Sequence, residues 1–186
     1  MQKILPGILD QNFEFFNHQQ ENDVKYFHNG KLSSFTSLPS PIYALIKTTI
    51  DQSQKVSTIL KKWFPNSEFH QIKKFLSCRF GGVDFKADIE NGQLQKGEYW
   101  NCPNSGNCEA EGILCNALKI NGHIISKLEI ELIRLSTTDK TNDVIADELN
   151  LPLGTYHKMK KILHEKLGNI QTKQSLTKLA YQWNII

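Results

Sequence analysis

The chain has 186 residues, 39% of them hydrophobic, with 22 lysines and arginines against 19 acids, a formal charge of +3 and a pI near 8.6. That length suits one ordinary domain or two small ones with a buried core. Its longest apolar runs fall far short of the roughly twenty residues of a membrane span, and Met1-Gln-Lys-Ile-Leu-Pro-Gly7 lacks the apolar stretch of a secretory signal, so a cytoplasmic protein with no membrane partner is expected.

From the N-terminus the pattern predicts a mixed helical and hairpin module. Residues 24–27 and 31–35 flank His28-Asn-Gly30, and residues 83–89 and 93–100 flank Asn91-Gly92, two runs of strand character around left-handed turn residues. Between them, 41–64 carries helical spacing at Ile42, Leu45, Ile46 and Ile50, then at Val56, Ile59, Leu60 and Trp63, and ends at Pro65. A further helix is expected from Ser67 to about Cys78, with Arg79-Phe-Gly-Gly82 turning the chain into the second hairpin.

The four cysteines, Cys78, Cys102, Cys108 and Cys115, are the second informative feature. Three lie in one Gly-rich stretch with turn residues at 104–106 and Gly112, able to gather thiolates around a point that Cys78 could complete. Four thiolates suit a structural zinc ion, which staples a region poor in apolar residues. Five and six residues separate the last three cysteines, wider than in zinc knuckles; the same set suits an iron–sulfur cluster, or four reduced thiols with no metal. Residues 1–115 are read as this module and 116–122 as a short linker.

The remainder, 123–186, is read as helical throughout. Val144, Ile145 and Leu149 define an apolar face on a short helix that Thr141 would cap, with Asp143, Asp147 and Glu148 turned away. Asn150-Leu-Pro-Leu-Gly154 is a tight connection, because Pro152 disfavours helix in the residue before it. A second helix then places Tyr156, Met159, Leu163 and Leu167 on one stripe and His157, Lys158, Lys160 and Lys161 outward or to the side. A lysine-bearing helix has the width of the major groove of B-form DNA.

These residues resemble the C-terminal DNA-binding domain of LuxR-type (GerE-like) transcription regulators, through Ile125-Ser-Lys-Leu-Glu-Ile-Glu-Leu-Ile133, Ile145-Ala146, Leu149, Gly154-Thr155 and Lys166-Leu167-Gly168 in unbroken order over about sixty residues. Glu129 matches the acidic residue of that family's first helix, Thr155 the start and Lys166-Leu167 the end of its recognition helix; Asp139 stands in place of glycine, Val144 of glutamate, Pro152 of the capping serine and Tyr156 of valine. Leu151-Pro-Leu-Gly-Thr155 is similar to region 4 of sigma factors. Leu176, Leu179, Ala180 and Trp183 match the fourth helix that the LuxR type uses in its core and for dimerisation. The block from Glu98 to Cys115 is similar to the cysteine-containing region placed before LuxR-type domains in regulators of Bacteroidetes and their phages.

The expectation is therefore an α+β protein: a helix-and-hairpin module with a four-cysteine metal site, then an all-α four-helix helix-turn-helix domain. No phosphate-binding glycine loop, nucleophile elbow, HExxH pair or deaminase motif occurs, which argues against an enzyme. The resemblance implies a transcription regulator of double-stranded DNA, read as a homodimer, with Lys158 and Lys161 in the groove and Thr155, Tyr156, His157 and Lys160 on phosphates or flanking base edges. The competing reading is an adaptor that docks on RNA polymerase or another protein.

Overall fold

The computed structural model describes residues 4–18, 23–105, 107–170, 172–183 and 185–186, so Gly106 of the expected turn at 104–106 lies outside the described residues. The protein is mixed α+β, with small antiparallel sheets and seven helices among the described residues, and it divides into two compact units, Met1–Asn116 and Ala117–Ile186. No helix is long and apolar enough to cross a membrane.

The first unit is built on a three-stranded antiparallel sheet of β1 (Glu14–His18), β2 (Asp23–His28) and β3 (Lys31–Ser34), in that order. Asn29 and Gly30 join β2 to β3 with φ of 50° and 73°, the two left-handed residues that a tight hairpin requires. Phe15, Val24 and Tyr26 sit in the core with Phe13 and Phe35. Over that apolar surface pack α1 (Ser40–Gln52), α2 (Gln54–Trp63) and α3 (Glu68–Arg79), which contribute Ile46, Ile50, Val56, Leu60, Ile72, Phe75 and Leu76. The stretch expected as one helical run breaks at Ser53, whose extended backbone lets α1 and α2 each turn their own stripe inward. Ser67 starts α3 by accepting the His70 amide at 3.3 Å.

The second expected hairpin is much shorter than its sequence pattern. Only β4 (Ile89–Glu90) and β5 (Gln93–Leu94) pair, around Asn91 and Gly92 with φ of 52° and 72°. Residues 83–88 form no strand because their aspartates take the backbone amides that a ladder would use. Asp84 accepts from the Lys86 amide and Asp88 from the Phe15 amide at 2.7 Å, while Glu14 accepts from the Asp84 amide at 2.7 Å. Four acids, Glu14, Asp84, Asp88 and Glu98, are thereby drawn together. Burial, and then repulsion by the neighbouring carboxylates, pushes Glu14 up to about 9 and Asp88 well above its ordinary value. Glu98 is pushed up to about 8 by burial and by Asp84.

The second unit begins with a hairpin. Segment 116–122, expected as a linker, contains β6 (Lys119–Ile120), which pairs with β7 (His123–Ile124) through Asn121 and Gly122 at φ 49° and 82°. The unit is therefore not all-α. The hairpin buries Leu118 and Ile120, and Asn121 donates to the Lys166 carbonyl at 3.1 Å. Four helices follow: α4 (Lys127–Ser136), α5 (Asn142–Glu148), α6 (Leu153–Lys166) and α7 (Lys173–Gln182). α4 packs on each of the other three and supplies Ile130, Leu132, Ile133 and Leu135 to the core, joined by Ile145, Ala146, Tyr156, Leu163, Leu167, Leu176 and Ala180.

Glu129 ties this unit together. It closes a capping box with Ser126, whose amide and hydroxyl both donate to Oε2 at 2.9 and 3.0 Å, and its Oε1 receives Lys166 Nζ at 2.6 Å from the far end of α6. Burial works against the charge, but Lys166 and Ser126 outweigh it and hold the carboxyl below the ordinary 4.5. Its contribution is therefore complete above that value and lost as the pH falls through the depressed one. Glu129→Ala is expected to destabilise the second unit by about 1.5–3 kcal/mol, the range for hydrogen bonds to charged groups, read as faster amide hydrogen exchange in α4 and α6. The difference from wild type should shrink in acid.

Candidate nucleic-acid interface and cysteine centre

How α6 is set against α5 decides which side chains it offers. α5 ends in a Schellman motif: Asn150 adopts φ 53°, its amide reaches the Asp147 carbonyl at 3.0 Å, and the Leu151 amide reaches Ala146 at 2.9 Å. Four residues after α5, the chain enters α6 at Pro152. Neither Thr141, at the start of α5, nor Pro152, at the start of α6, supplies a side-chain cap. The cap role expected of the Thr141 hydroxyl is thus not filled, and the first-turn amides of α6 have no capping side chain.

Tyr156 is fully buried, and its hydroxyl donates to Asn142 Oδ1 at 2.7 Å. It is a packing residue and corrects the expectation of a contact with phosphate or bases. Its phenol ring spans the gap to α5 that a smaller side chain would leave, and its polar tip is satisfied inside the fold. Lys160 is also committed inward: it is half-buried, donates to the same Asn142 oxygen at 2.9 Å, and lies 5.7 Å from the Tyr156 ring centroid. Thr155, His157, Lys158 and Lys161 are exposed. Of the six expected contact residues, four thus share the open side of α6, one bridges its edge and one belongs to the core.

α5 differs from expectation as well. Ile145 and Ala146 are buried, whereas Val144 is 43% exposed, because the helix turns the 145–146 pair rather than the 144–145 pair onto α4 and α6. Its exposed side carries Asp143, Asp147 and Glu148, the last bound by Lys140 Nζ at 2.7 Å. Cation density is therefore concentrated on α6. Residues 117–186 hold ten lysines and arginines against seven acids, so the whole formal excess of +3 lies in the second unit. Beside Lys158 is a shallow hollow of about 440 Å³ formed by Ile124, Thr155, Met159, Ile162 and Lys166.

The cysteines occupy the first unit. Cys78 is in the last turn of α3 and buried, while Cys102, Cys108 and Cys115 are half-buried on the segment that follows β5. That segment is pinned at several points. Glu109 accepts from Lys62 at 2.5 Å and from the Trp63 indole at 2.6 Å, Arg79 Nη2 donates to the Ile113 carbonyl at 2.9 Å, and Ala110 and Leu114 are buried in the core. Trp100 donates to the Cys78 carbonyl at 3.1 Å. It fits because residue 81 is glycine: a Cβ there would stand 2.4 Å from the indole.

Burial pushes the Cys78 thiol up to about 11, with Lys74 opposing and the charges of Cys102, Cys115 and Cys108 adding to the rise, so all three other sulfurs lie within electrostatic reach of Cys78. Two cations, Lys74 and Arg79, act on this group. Among the described residues no three of the sulfurs come within 4.8 Å of each other. In the second unit, His123 is exposed on β7, and His164 Nδ1 lies 2.7 Å from the Ile170 carbonyl at the end of α6.

Sequence reasoning missed Asn142, whose short polar side chain at the first position of α5 gave no sign of two partners fourteen and eighteen residues away. It also missed the four-acid cluster, assembled from three separated segments. Comparison of the chain with family models, curated proteins and solved structures finds no match. Tyr156→Phe is expected to cost about 1 kcal/mol of stability while leaving Lys158 and Lys161 outward, so thermal unfolding should shift with little change in any polyanion affinity.

Proposed function

We propose that the second unit is a LuxR-type helix-turn-helix domain, that α5 and α6 are its paired helices, and that the protein is a cytoplasmic transcription regulator that lays α6 in the major groove of duplex DNA. The observation that carries this reading is the two-sidedness of α6: Tyr156 and Leu163 are buried, and Thr155, His157, Lys158 and Lys161 are open. Lys158 and Lys161 contact guanine edges or phosphates, and Thr155, His157 and the uncapped first-turn amides contact the flanking backbone. Lys160, fixed to Asn142, adds positive potential rather than a mobile contact. A homodimer on paired half-sites supplies the affinity that one short helix lacks at cellular salt.

In the same reading Cys78, Cys102, Cys108 and Cys115 hold a structural zinc ion in the first unit. The chemistry of the set suits it: four thiols in one unit, with Lys74 and Arg79 to offset the net negative charge of a four-thiolate site. An iron–sulfur cluster takes the same ligands and is separated from zinc by its visible absorption.

A second reading has its own support. The hollow beside Lys158 has apolar members, with Ile124 58% and Ile162 43% exposed, and such a patch suits protein docking as by an adaptor on RNA polymerase. Mobility shift on genomic duplex fragments at several salt concentrations separates the two. A regulator gives a retarded band whose salt slope falls by about 1 for each phosphate-contacting lysine removed, so Lys158→Ala with Lys161→Ala flattens it by up to about 2. No retardation favours the adaptor, and a band unchanged in the double variant removes Lys158 and Lys161 from the DNA contact.

Metal analysis of the full chain is expected to give one zinc per chain. Cys102→Ser with Cys108→Ser should lose it and lower the melting temperature, whereas a metal-free wild-type chain that melts as the loaded one does overturns the zinc assignment.

A further inference from the structure

The four acids of the first unit pose a problem of charge. Glu14 is 0% and Asp88 4% exposed, while Asp84 and Glu98 are half-buried. Among the described residues none of the four is paired with a lysine or arginine, and Lys86 is the cation that acts on Glu98, as its weakest influence. Buried carboxyl groups are paired, coordinate a metal or take up a proton, and the raised values of Glu14 and Glu98 mark the ion-free cluster as one that holds protons a cation would displace. Most of the cluster's oxygens that donors reach are held by backbone amides: Glu14 Oε1 by Asp84, Asp88 Oδ2 by Phe15, and Glu98 Oε1 by Gly82 at 2.9 Å. Glu14 Oε2 is different, because it is buried and has no partner at all.

The carboxylate that carries it faces two others. One oxygen from each of Glu14, Asp84 and Glu98 lies within 4.8 Å of the other two. Calcium takes several carboxylates in irregular geometry, whereas magnesium keeps most of its waters and is held by one or two carboxylates, so a set of three protein carboxylates suits the larger ion. The cluster borders an open cavity of about 720 Å³ lined by five acids, Asp10, Asp84, Asp88, Glu90 and Glu98, against two lysines, Lys86 and Lys96, which gives an ion and its waters a way in. Backbone is arranged around the cluster too: a Cβ on Gly82 would stand 2.9 Å from the Glu98 carboxylate.

We propose that Glu14, Asp84 and Glu98 form a binding site for a hard, calcium-sized divalent cation, with Asp88 as a supporting charge and water filling the remaining positions. The site is separate in chemistry from the cysteine centre, since oxygen donors select hard cations and thiolates select zinc or iron. Its ligands arrive on β1, on the 80–88 turn and on the segment after β5, so the ion would fasten three separate stretches of chain to one another. That is a structural calcium staple, and it stands whether or not the second unit binds DNA.

The test uses the full chain dialysed into metal-free buffer, with calcium chloride and magnesium chloride as probes. Calcium at about 1 mM is expected to raise the melting temperature by several degrees, on the order of 3 °C or more, and magnesium by less than half as much. Asp84→Asn and Glu98→Gln should each remove the calcium shift, and in metal-free buffer should melt no lower than wild type, because each relieves repulsion between buried acids. Glu90→Gln, on the same cavity but outside the ligand set, should keep the shift.

Should either variant fold poorly, terbium titrated into the wild-type chain and excited through tryptophan keeps the question open to test. The expected result is saturable emission, chased by calcium and poorly by magnesium, Trp100 lying close to Glu98. A wild-type melting temperature indifferent to calcium, a calcium shift that survives in Asp84→Asn or Glu98→Gln, or terbium emission that calcium does not chase overturns the proposal.

Discussion

The setting of α6 about its own axis depends on one buried side chain. Tyr156 enters the core at the first full turn of the helix, and its hydroxyl has one acceptor, Asn142, at the head of α5. The buried ring fixes rotation as well as depth, and the hydroxyl's bond adds stability to that setting. With Tyr156 inward, helical geometry puts residues 154, 155, 157, 158 and 161 outward, and Lys160 falls on the flank where it also reaches Asn142. At the other end the Glu129–Lys166 pair fixes the helix to the start of α4, and Asn121 bonds its last turn. A helix held at both ends presents its cations as a rigid row, and a rigid row loses less side-chain and backbone entropy when it meets a rigid polyanion.

Much of this is legible in the sequence because it depends on local rules. The α3 cap at Ser67, the end of α6 near Lys166, and the helical stripe through Leu176 and Ala180 lie where spacing and capping residues put them. The hairpin at Asn29-Gly30 follows from the same kind of local rule, a turn dipeptide between strand-like runs. The rule reaches too far at Asn91-Gly92, where the aspartates of 83–88 claim backbone amides and stop the ladder. At Asn121-Gly122 it gives no signal, since two residues on each side show too little alternation to stand out.

The errors at Val144 and Tyr156 share a cause. Periodicity marks a face to within about one residue, and choosing between adjacent positions needs the partner helix, which no local pattern supplies. The four-acid cluster is illegible for a stronger reason: Glu14, Asp84 and Glu98 are separated by up to 84 positions and meet only through the sheet and its turns. The cysteines stand out because three share one short stretch. Even there the sequence is silent on Lys74 and Arg79, the cations that lie within electrostatic reach of Cys78.

The open lysine row of α6 meeting a duplex is the central claim, and lysine footprinting tests it most directly. The full chain is acetylated with an amine-reactive ester, with and without duplex DNA, and each site is read by mass spectrometry. The account predicts that Lys158 and Lys161 become protected while exposed lysines of the first unit, such as Lys55 and Lys61, label as before. Unchanged labelling of Lys158 and Lys161 at DNA concentrations that bind the chain, or protection confined to the first unit, would contradict it.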